Sequence, residues 1–216
     1  MFERLRITAE LKTPIIMRGF LTFDALMGAL LFEKYEDVER AHADIPIRCV
    51  ADLFHASAAQ VIDFEKGSVS FIAGLRADHD IDPNLLKKNQ AGTGTHRKMK
   101  RTKREAYGNV KNDYMTINAT NVFWDVEGNF DEISALLENA MFIGKKRTAG
   151  YGEIVNWNFD DAPNDGVLTA SGKPLRPIPQ HLYKGDTSLP ILDAAWKPAY
   201  WNPENRAACY APEAIA

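Results

Sequence analysis

Three consecutive cations stand inside a glycine-punctuated stretch, Ile143–Glu153, in which Lys145, Lys146 and Arg147 follow Gly144 and precede Gly150, Tyr151 and Gly152. Residues of this kind at this spacing suit an anion. Glycines let the backbone take positive φ and come close to a ligand, and successive N–H groups of such a loop can face phosphate oxygens while the side chains supply charge. Two familiar phosphate loops do not fit. A Walker loop carries Lys and Ser or Thr directly after its last glycine, whereas Gly150 is followed by Tyr151 and Gly152. A Rossmann fingerprint follows a strand and opens a helix, whereas Ile154–Phe159 after these glycines alternates like a strand. The order is helix, glycine loop, strand. A turn followed by a glycine-containing hairpin would use the same residues without any ligand.

A second basic element lies upstream. Net charge is −3 over 216 residues, which does not mark a generic nucleic-acid binder. Its distribution is uneven: Lys87, Lys88, Arg97, Lys98, Lys100, Arg101, Lys103, Arg104 and Lys111, with His96, face the single acid Glu105. Met99 is the one large aliphatic residue in the stretch 92–109, so this segment has no core of its own to fold on. The reading is a thumb-like basic insertion, 84–112, that projects from a sheet and tracks phosphates; the plain alternative is a solvated charge run. Tyr107 and Tyr114 are placed to stack on unpaired bases, and are equally at home as strand-end residues.

Other chemistry-bearing residues are sparse. His55, beside Ser57, reads as a structural histidine rather than an acid–base group. Asp78-His79-Asp80-Ile81-Asp82-Pro83 reads as a solvated turn rather than a metal site. Cys49 and Cys209 are the only cysteines, far apart, so neither a disulfide framework nor a thiolate metal site is expected. Neither a catalytic residue, a metal nor another cofactor is assigned. No apolar run reaches membrane-spanning length and the start, MFERLRITAEL, is no signal peptide, so a cytoplasmic protein that meets no membrane is expected.

The elements that must position the loop can be read from periodicity. Leu5, Ile7, Ala9 and Leu11 alternate with Arg4, Arg6, Thr8 and Glu10 as a half-buried strand that Thr13-Pro14 ends. Phe23, Leu26, Met27, Leu30 and Leu31 predict a helix from a Thr22 cap to about Tyr35, with Asp24 complementing the helix dipole. Residues 36–40 read as charged linker and Ile45–Arg48 as an extended turn. Phe54–Phe64 is expected to pair with Ser68–Leu75 through a turn at Glu65–Ser68. A strand over Tyr114–Trp124, a turn over Asp125–Asn129 and a helix over Phe130–Ala140 then lead into the glycine loop. Beyond it, 163–216 holds eight of the eleven prolines and two of the four tryptophans. Its Arg176-Pro177-Ile178-Pro179 and Lys197–Pro203 segments predict an ordered extended wrap, with Trp196, Tyr200 and Trp201 sealing the sheet or meeting a partner subunit.

Hydrophobic-Gly-x5-Gly-x-Gly after a helix resembles the glycine-rich loop of the RAMP superfamily of CRISPR-associated proteins, residue for residue at Gly144, Gly150 and Gly152. The strand, Thr13-Pro14 and Phe23-Asp24-Ala25-Leu26 helix resemble the opening of RAMP subunits. The resemblance implies an α+β, ferredoxin-like (RRM-like) domain over 1–162, carrying the basic insertion, with 163–216 as a Pro- and aromatic-rich extension packed on the domain or on a partner. Within the superfamily the chain looks most like the subunit that caps the 5′ handle of CRISPR RNA, and its tail segments resemble the family of the third Csf protein of type IV systems. The implied partners are CRISPR RNA, the backbone and large subunits of an effector complex, and target DNA near the protospacer-adjacent motif. RNA-binding residues carried over or read from charge are Gly144, Lys145, Lys146, Arg147, Gly150, Tyr151, Gly152, Arg97, Lys98, Lys100, Arg101, Lys103, Arg104, Tyr107 and Lys111. Two rivals stand beside this reading. One is a metal-independent endoribonuclease that draws on His55, His96, Tyr107 and Lys111. The other is a protein-interaction module without nucleic acid.

Overall fold

The computed structural model describes residues 1–17, 19–73 and 110–212. Arg97, Lys98, Lys100, Arg101, Lys103, Arg104 and Tyr107 lie outside the described residues, as do His96 and the Asp78–Pro83 segment. The chain forms two compact units, Met1–Gly67 with Thr116–Ala216, and Ser68–Met115. In chain order the elements are β1 (Glu3–Leu11), α1 (Phe23–Tyr35), α2 (Val38–Ala43), β2 (Cys49–Val50), β3 (Leu53–Phe54), β4 (Gln60–Val61), β5 (Glu65–Ala73) and β6 (Val110–Asn118). There follow β7 (Asn121–Gly128), α3 (Phe130–Leu137), β8 (Ile154–Asp161), β9 (Ile178–Pro179), β10 (Ile191–Ala195) and β11 (Arg206–Tyr210). The fold is α+β with antiparallel sheets.

Period-two patterning builds the main sheet. β1 lies at its centre, antiparallel to β7 on one side and to β8 on the other, and β4 pairs outside β7. The alternation puts Leu5, Ile7, Ala9 and Leu11 on one face, where they are buried in a single core with Val122, Trp124 and Val126 of β7. Phe23, Leu26, Met27 and Leu31 of α1 and Ile133 and Leu137 of α3 close that core. Full burial of each such aliphatic or aromatic side chain contributes roughly 1.5–3 kcal/mol, which outweighs the modest propensity of these short helices.

α1 runs over the predicted residues, but its start is held differently. Thr22 stands at the N-cap position without a capping bond, and its Oγ1 donates 2.8 Å to the Tyr200 hydroxyl instead. Asp24 stands in the first turn of α1 as expected, and it is fully buried. The stretch read as charged linker is in part helix: the Asp37 side chain accepts from the Arg40 N–H at 3.0 Å and caps α2. With Ala41 as its one buried residue, α2 is too short to show a periodicity.

The expected hairpin between Phe54–Phe64 and Ser68–Leu75 is not formed. Glu65–Ser68 lies inside β5, which pairs with β6, while Phe54–Phe64 divides into β3, paired with β2, and β4, paired with β7. Gly67, expected as a turn glycine, has no positive φ, and a Cβ there would sit 2.6 Å from Thr116 Oγ1, so the residue serves close strand packing. The expected single strand Tyr114–Trp124 is likewise two, β6 and β7, broken at Ala119-Thr120, and of the expected turn over Asp125–Asn129 all but Asn129, the N-cap position of α3, is the end of β7. Val110–Asn112, assigned to the insertion, belongs to β6. α3 stops at Leu137, three residues short of the expected end.

The described part of the tail, 163–212, carries its own packing. β10, β11 and β9 form a three-stranded sheet, and Leu53, Val167, Ile178, Tyr183, Ala194, Trp196, Cys209 and Tyr210 form a second hydrophobic cluster. Burial raises the Cys209 thiol to about 11, so it is held as an apolar side chain. Trp196 is buried and Trp201 is 78% exposed, so the two tail tryptophans have opposite environments. No helix among the described residues is long and apolar enough to cross a membrane.

Candidate nucleic-acid interface

The glycine loop begins where α3 has ended and closes onto β8. Gly144, Gly150 and Gly152 all have positive φ, at 82°, 84° and 70°. They differ in what surrounds them. A Cβ on Gly144 would meet Ile16 O at 2.6 Å and Ile15 Cγ1 at 2.9 Å, and one on Gly152 would lie 2.0 Å from Ile143 O. A Cβ on Gly150 would have nothing beyond its chain neighbours within 4 Å. Two glycines therefore let the loop close against its neighbours, and the third only reverses the chain.

The loop's amides are largely committed to the protein. Lys145 N–H donates to Ile16 O at 2.8 Å, Gly152 N–H to Pro14 O at 2.9 Å and Glu153 N–H to Thr13 Oγ1 at 2.9 Å. Ala149 N–H and Tyr151 N–H donate to Lys146 O, and Gly150 N–H to Arg147 O, which closes the short 3-10 turn Arg147–Ala149. The expected cradle of successive free N–H groups is therefore not what these residues build, because their hydrogen bonds tie the loop to the segment after β1. Thr13-Pro14 is thus more than a strand terminator. It is half of the loop's anchorage.

Charge on the loop is left to side chains. Lys145 and Arg147 are exposed and Lys146, itself in the left-handed region at φ 60°, is half-buried. Lys12 Nζ lies 2.7 Å from Glu153 Oε1 and neutralises the acid that ends the loop. Arg147 also has an acidic neighbour: both its terminal nitrogens lie 3.4 Å from Glu33 Oε1 of α1. Tyr151 is half-buried. Lys111, on β6, is exposed and 3.2 Å from Asp113, which also accepts from Ser70 Oγ. These Ser70 and Lys111 contacts hold the Asp113 carboxyl below its ordinary range.

On the sheet face opposite the helices, Arg6 is committed to the protein. Arg6 of β1 donates to both Asp125 carboxylate oxygens, at 2.7 and 3.0 Å, and its guanidinium lies 4.6 Å from the Phe123 ring centre. Asn164 also donates to Asp125 at 2.7 Å. The register puts Asp160 and Asn158 of β8 beside Arg6 and Thr8. Arg6, the cation at the middle of this face, is matched by an acid of the same chain.

His55 lies in an acidic setting. Its Nδ1 is 3.4 Å from Glu127 Oε2 and 3.6 Å from Asp165 Oδ2, with no hydrogen bond to either, and Glu127 Oε1 accepts from Arg48 at 2.8 Å. Burial lowers the His55 pKa, although both carboxylates pull the other way. Among the described residues no group of three His, Cys, Asp or Glu is arranged to hold a metal ion.

Three short segments singled out in the sequence meet in a buried polar cluster. Arg176 and Asp24 are both fully buried and paired through two contacts, Nη1 to Oδ1 at 3.2 Å and Nη2 to Oδ2 at 3.4 Å. Arg176 also donates to the carbonyls of Phe54, of Ala56 at 3.1 Å and of Trp196 at 2.7 Å, and to the Tyr200 hydroxyl at 2.8 Å. That hydroxyl in turn donates to Asp24 Oδ2. Burial raises the Tyr200 pKa, so the phenol stays neutral. Burial opposes charge on Arg176, but Asp24 and Tyr200 outweigh it and its pKa is raised. The FDAL helix start, the RPIP segment and the KPAYW segment are thus one structural clamp that binds the tail to α1.

Sequence reasoning did not find Glu33, Lys12 or the carbonyls of Pro14 and Ile16 as parts of the loop's surroundings. The first two are ordinary helix and strand-end charges, and the only prior signal for the others was the Thr13-Pro14 bend. No protein-family profile and no curated protein sequence matches the chain.

Proposed function

We propose that this chain is an RNA-binding subunit of a type IV CRISPR ribonucleoprotein, of RAMP type, which caps the 5′ handle of CRISPR RNA. The observation that carries the reading is the loop Gly144–Gly152, in which three left-handed glycines and bonds to residues 13–16 hold Lys145 and Arg147 outward between α3 and an edge strand. A rigid basic ridge of this kind suits a phosphodiester backbone, where each neutralised phosphate contributes salt-dependent affinity. The strand order supports a ferredoxin-like unit: counting the sheet strands in chain order, the first lies between the third and fourth and the second is at the edge. The basic segment upstream of β6 would add contacts to handle RNA or to DNA beside the protospacer. The remaining proposed partners are the backbone and large subunits, for which the exposed Trp201 offers an aromatic anchor.

The chain is read as a binder and not as a catalyst, in a cytoplasmic complex. One observation favours the rival endoribonuclease, since Glu127 and Asp165 could orient His55 as a general base. Against it, the same two carboxylates repel a scissile phosphate. Replacement of Lys145, Lys146 and Arg147 together by Ala should weaken binding of repeat RNA at least ten-fold and lower the slope of log affinity against log salt, with the melting midpoint unchanged. An unchanged salt titration would refute the loop assignment and favour a protein-interaction module. Specific cleavage of repeat RNA in EDTA, lost in His55→Ala, would refute the non-catalytic reading.

A further inference from the structure

Glu33 gives the loop a chemistry of its own. Its Oε1 lies in the fork of Arg147, 3.4 Å from each terminal nitrogen, where an anionic oxygen is best received by a guanidinium. Both side chains are about half exposed, at 57% for Glu33 and 47% for Arg147, so a ligand can reach the pair. Both also stand on hydrogen-bonded backbone: Glu33 in α1, whose other end is clamped through Asp24 to Arg176, and Arg147 in the turn closed by the Gly150 N–H. The contact is therefore a feature of two ordered elements. An exposed pair of this sort is weak, and a phosphate oxygen can displace it.

We propose that the Glu33 carboxylate occupies the position of a phosphate at Arg147, so that this loop takes up anions by exchange and selects a polyanionic backbone over a single phosphate group. The proposal rests on the assignment of the loop as a phosphate site and adds a selectivity that the assignment does not contain. A single phosphate at Arg147 must break one ion pair to make another, and gains little. A phosphodiester chain meets Lys145 and Lys146 with its neighbouring phosphates at the same time, and the local concentration of the linked groups favours displacement of Glu33. Glu33 is thus a specificity residue that acts through Arg147.

The experiment compares Glu33→Gln, Arg147→Ala, the double variant and Glu36→Gln in the full chain, after circular dichroism shows the same spectrum and melting midpoint for each. Binding of a labelled single-stranded RNA is followed by anisotropy, with inorganic phosphate as competitor. Glu33→Gln is expected to tighten RNA binding by about three-fold, the size of one exposed ion pair, and to make inorganic phosphate a more effective competitor. In the Arg147→Ala background the Glu33 substitution is expected to change neither. A gain that persists without Arg147, or that Glu36→Gln reproduces, would overturn the exchange site in favour of general charge repulsion. No gain from Glu33→Gln, while Lys145→Ala with Lys146→Ala weakens RNA binding, would overturn the exchange site and leave the loop assignment standing. Binding that is indifferent to all of these substitutions would remove the loop assignment and the exchange site together.

Discussion

At the scale of single residues, the three loop glycines separate conformational need from steric need. Gly150 reverses the chain in open space, so Gly150→Ala should cost about 1 kcal/mol, the penalty of a left-handed alanine. Gly152→Ala adds a Cβ 2.0 Å from Ile143 O, where neither partner can move without losing the Ile143 N–H bond to Gly152 O. That substitution should cost roughly 3 kcal/mol or more, about 2 kcal/mol beyond Gly150→Ala, as measured for each variant against the unsubstituted chain in urea denaturation. Equal losses at the two positions would show that the loop is free to open at Gly152. Both glycines were legible in the sequence as a pair with one purpose. Their difference was not, since it depends on which carbonyl faces each Cα.

At the scale of elements, α1 and the tail are one assembly. The sequence places Asp24 as a first-turn acid, which it is, but a helix end is stabilised by an exposed acid as well as by a buried one, so the position does not reveal the burial. What buries Asp24 is Arg176, 152 residues away in sequence. Removal of one partner from a buried ion pair strands the other charge in an apolar setting. Asp24→Asn should therefore destabilise the chain by about 3 kcal/mol, and a paired Asp24→Leu with Arg176→Met replacement should cost less than Asp24→Asn alone. Thermal melts of the three proteins, with a double-mutant comparison, test this. A harmless Asp24→Asn would mean that the clamp contributes nothing to the attachment of the tail. The short α2 and the parted strands β2, β3 and β4 mark the limit of pattern reading at this scale. Elements of two to six residues are made by partners and caps, and they bury too few residues to leave a period.

At the scale of the whole molecule, a net charge of −3 conceals a basic loop and an acidic remainder. The His55 cluster belongs here, because it joins Arg48, the end of β7 and the start of the tail, and its titration is read in global stability. Its pKa is lowered by burial in the folded chain, so below about pH 6.5, the ordinary histidine value, the unfolded state takes up the proton first. Stability should fall as pH drops from that point toward the lowered folded value, and His55→Gln should lose less over the same interval. Denaturation midpoints between about pH 7 and pH 5 give the comparison. Parallel curves for the two proteins would show that Glu127 and Asp165 cancel the burial effect.

Strand and helix patterning, the order helix–glycine loop–strand and the cationic character of residues 145–147 were determined by the sequence alone, because period, glycine placement and charge are local quantities. The pairings of these elements were decided only in three dimensions. Thr13 and Pro14 hold the loop, Glu33 faces Arg147, Arg176 neutralises Asp24, and Gly67 packs inside a strand. Each of these joins residues that lie far apart in the chain, through a contact of a few ångströms. No local pattern records such a contact, since hydrogen bonds and ion pairs depend on which atoms the packed core brings together.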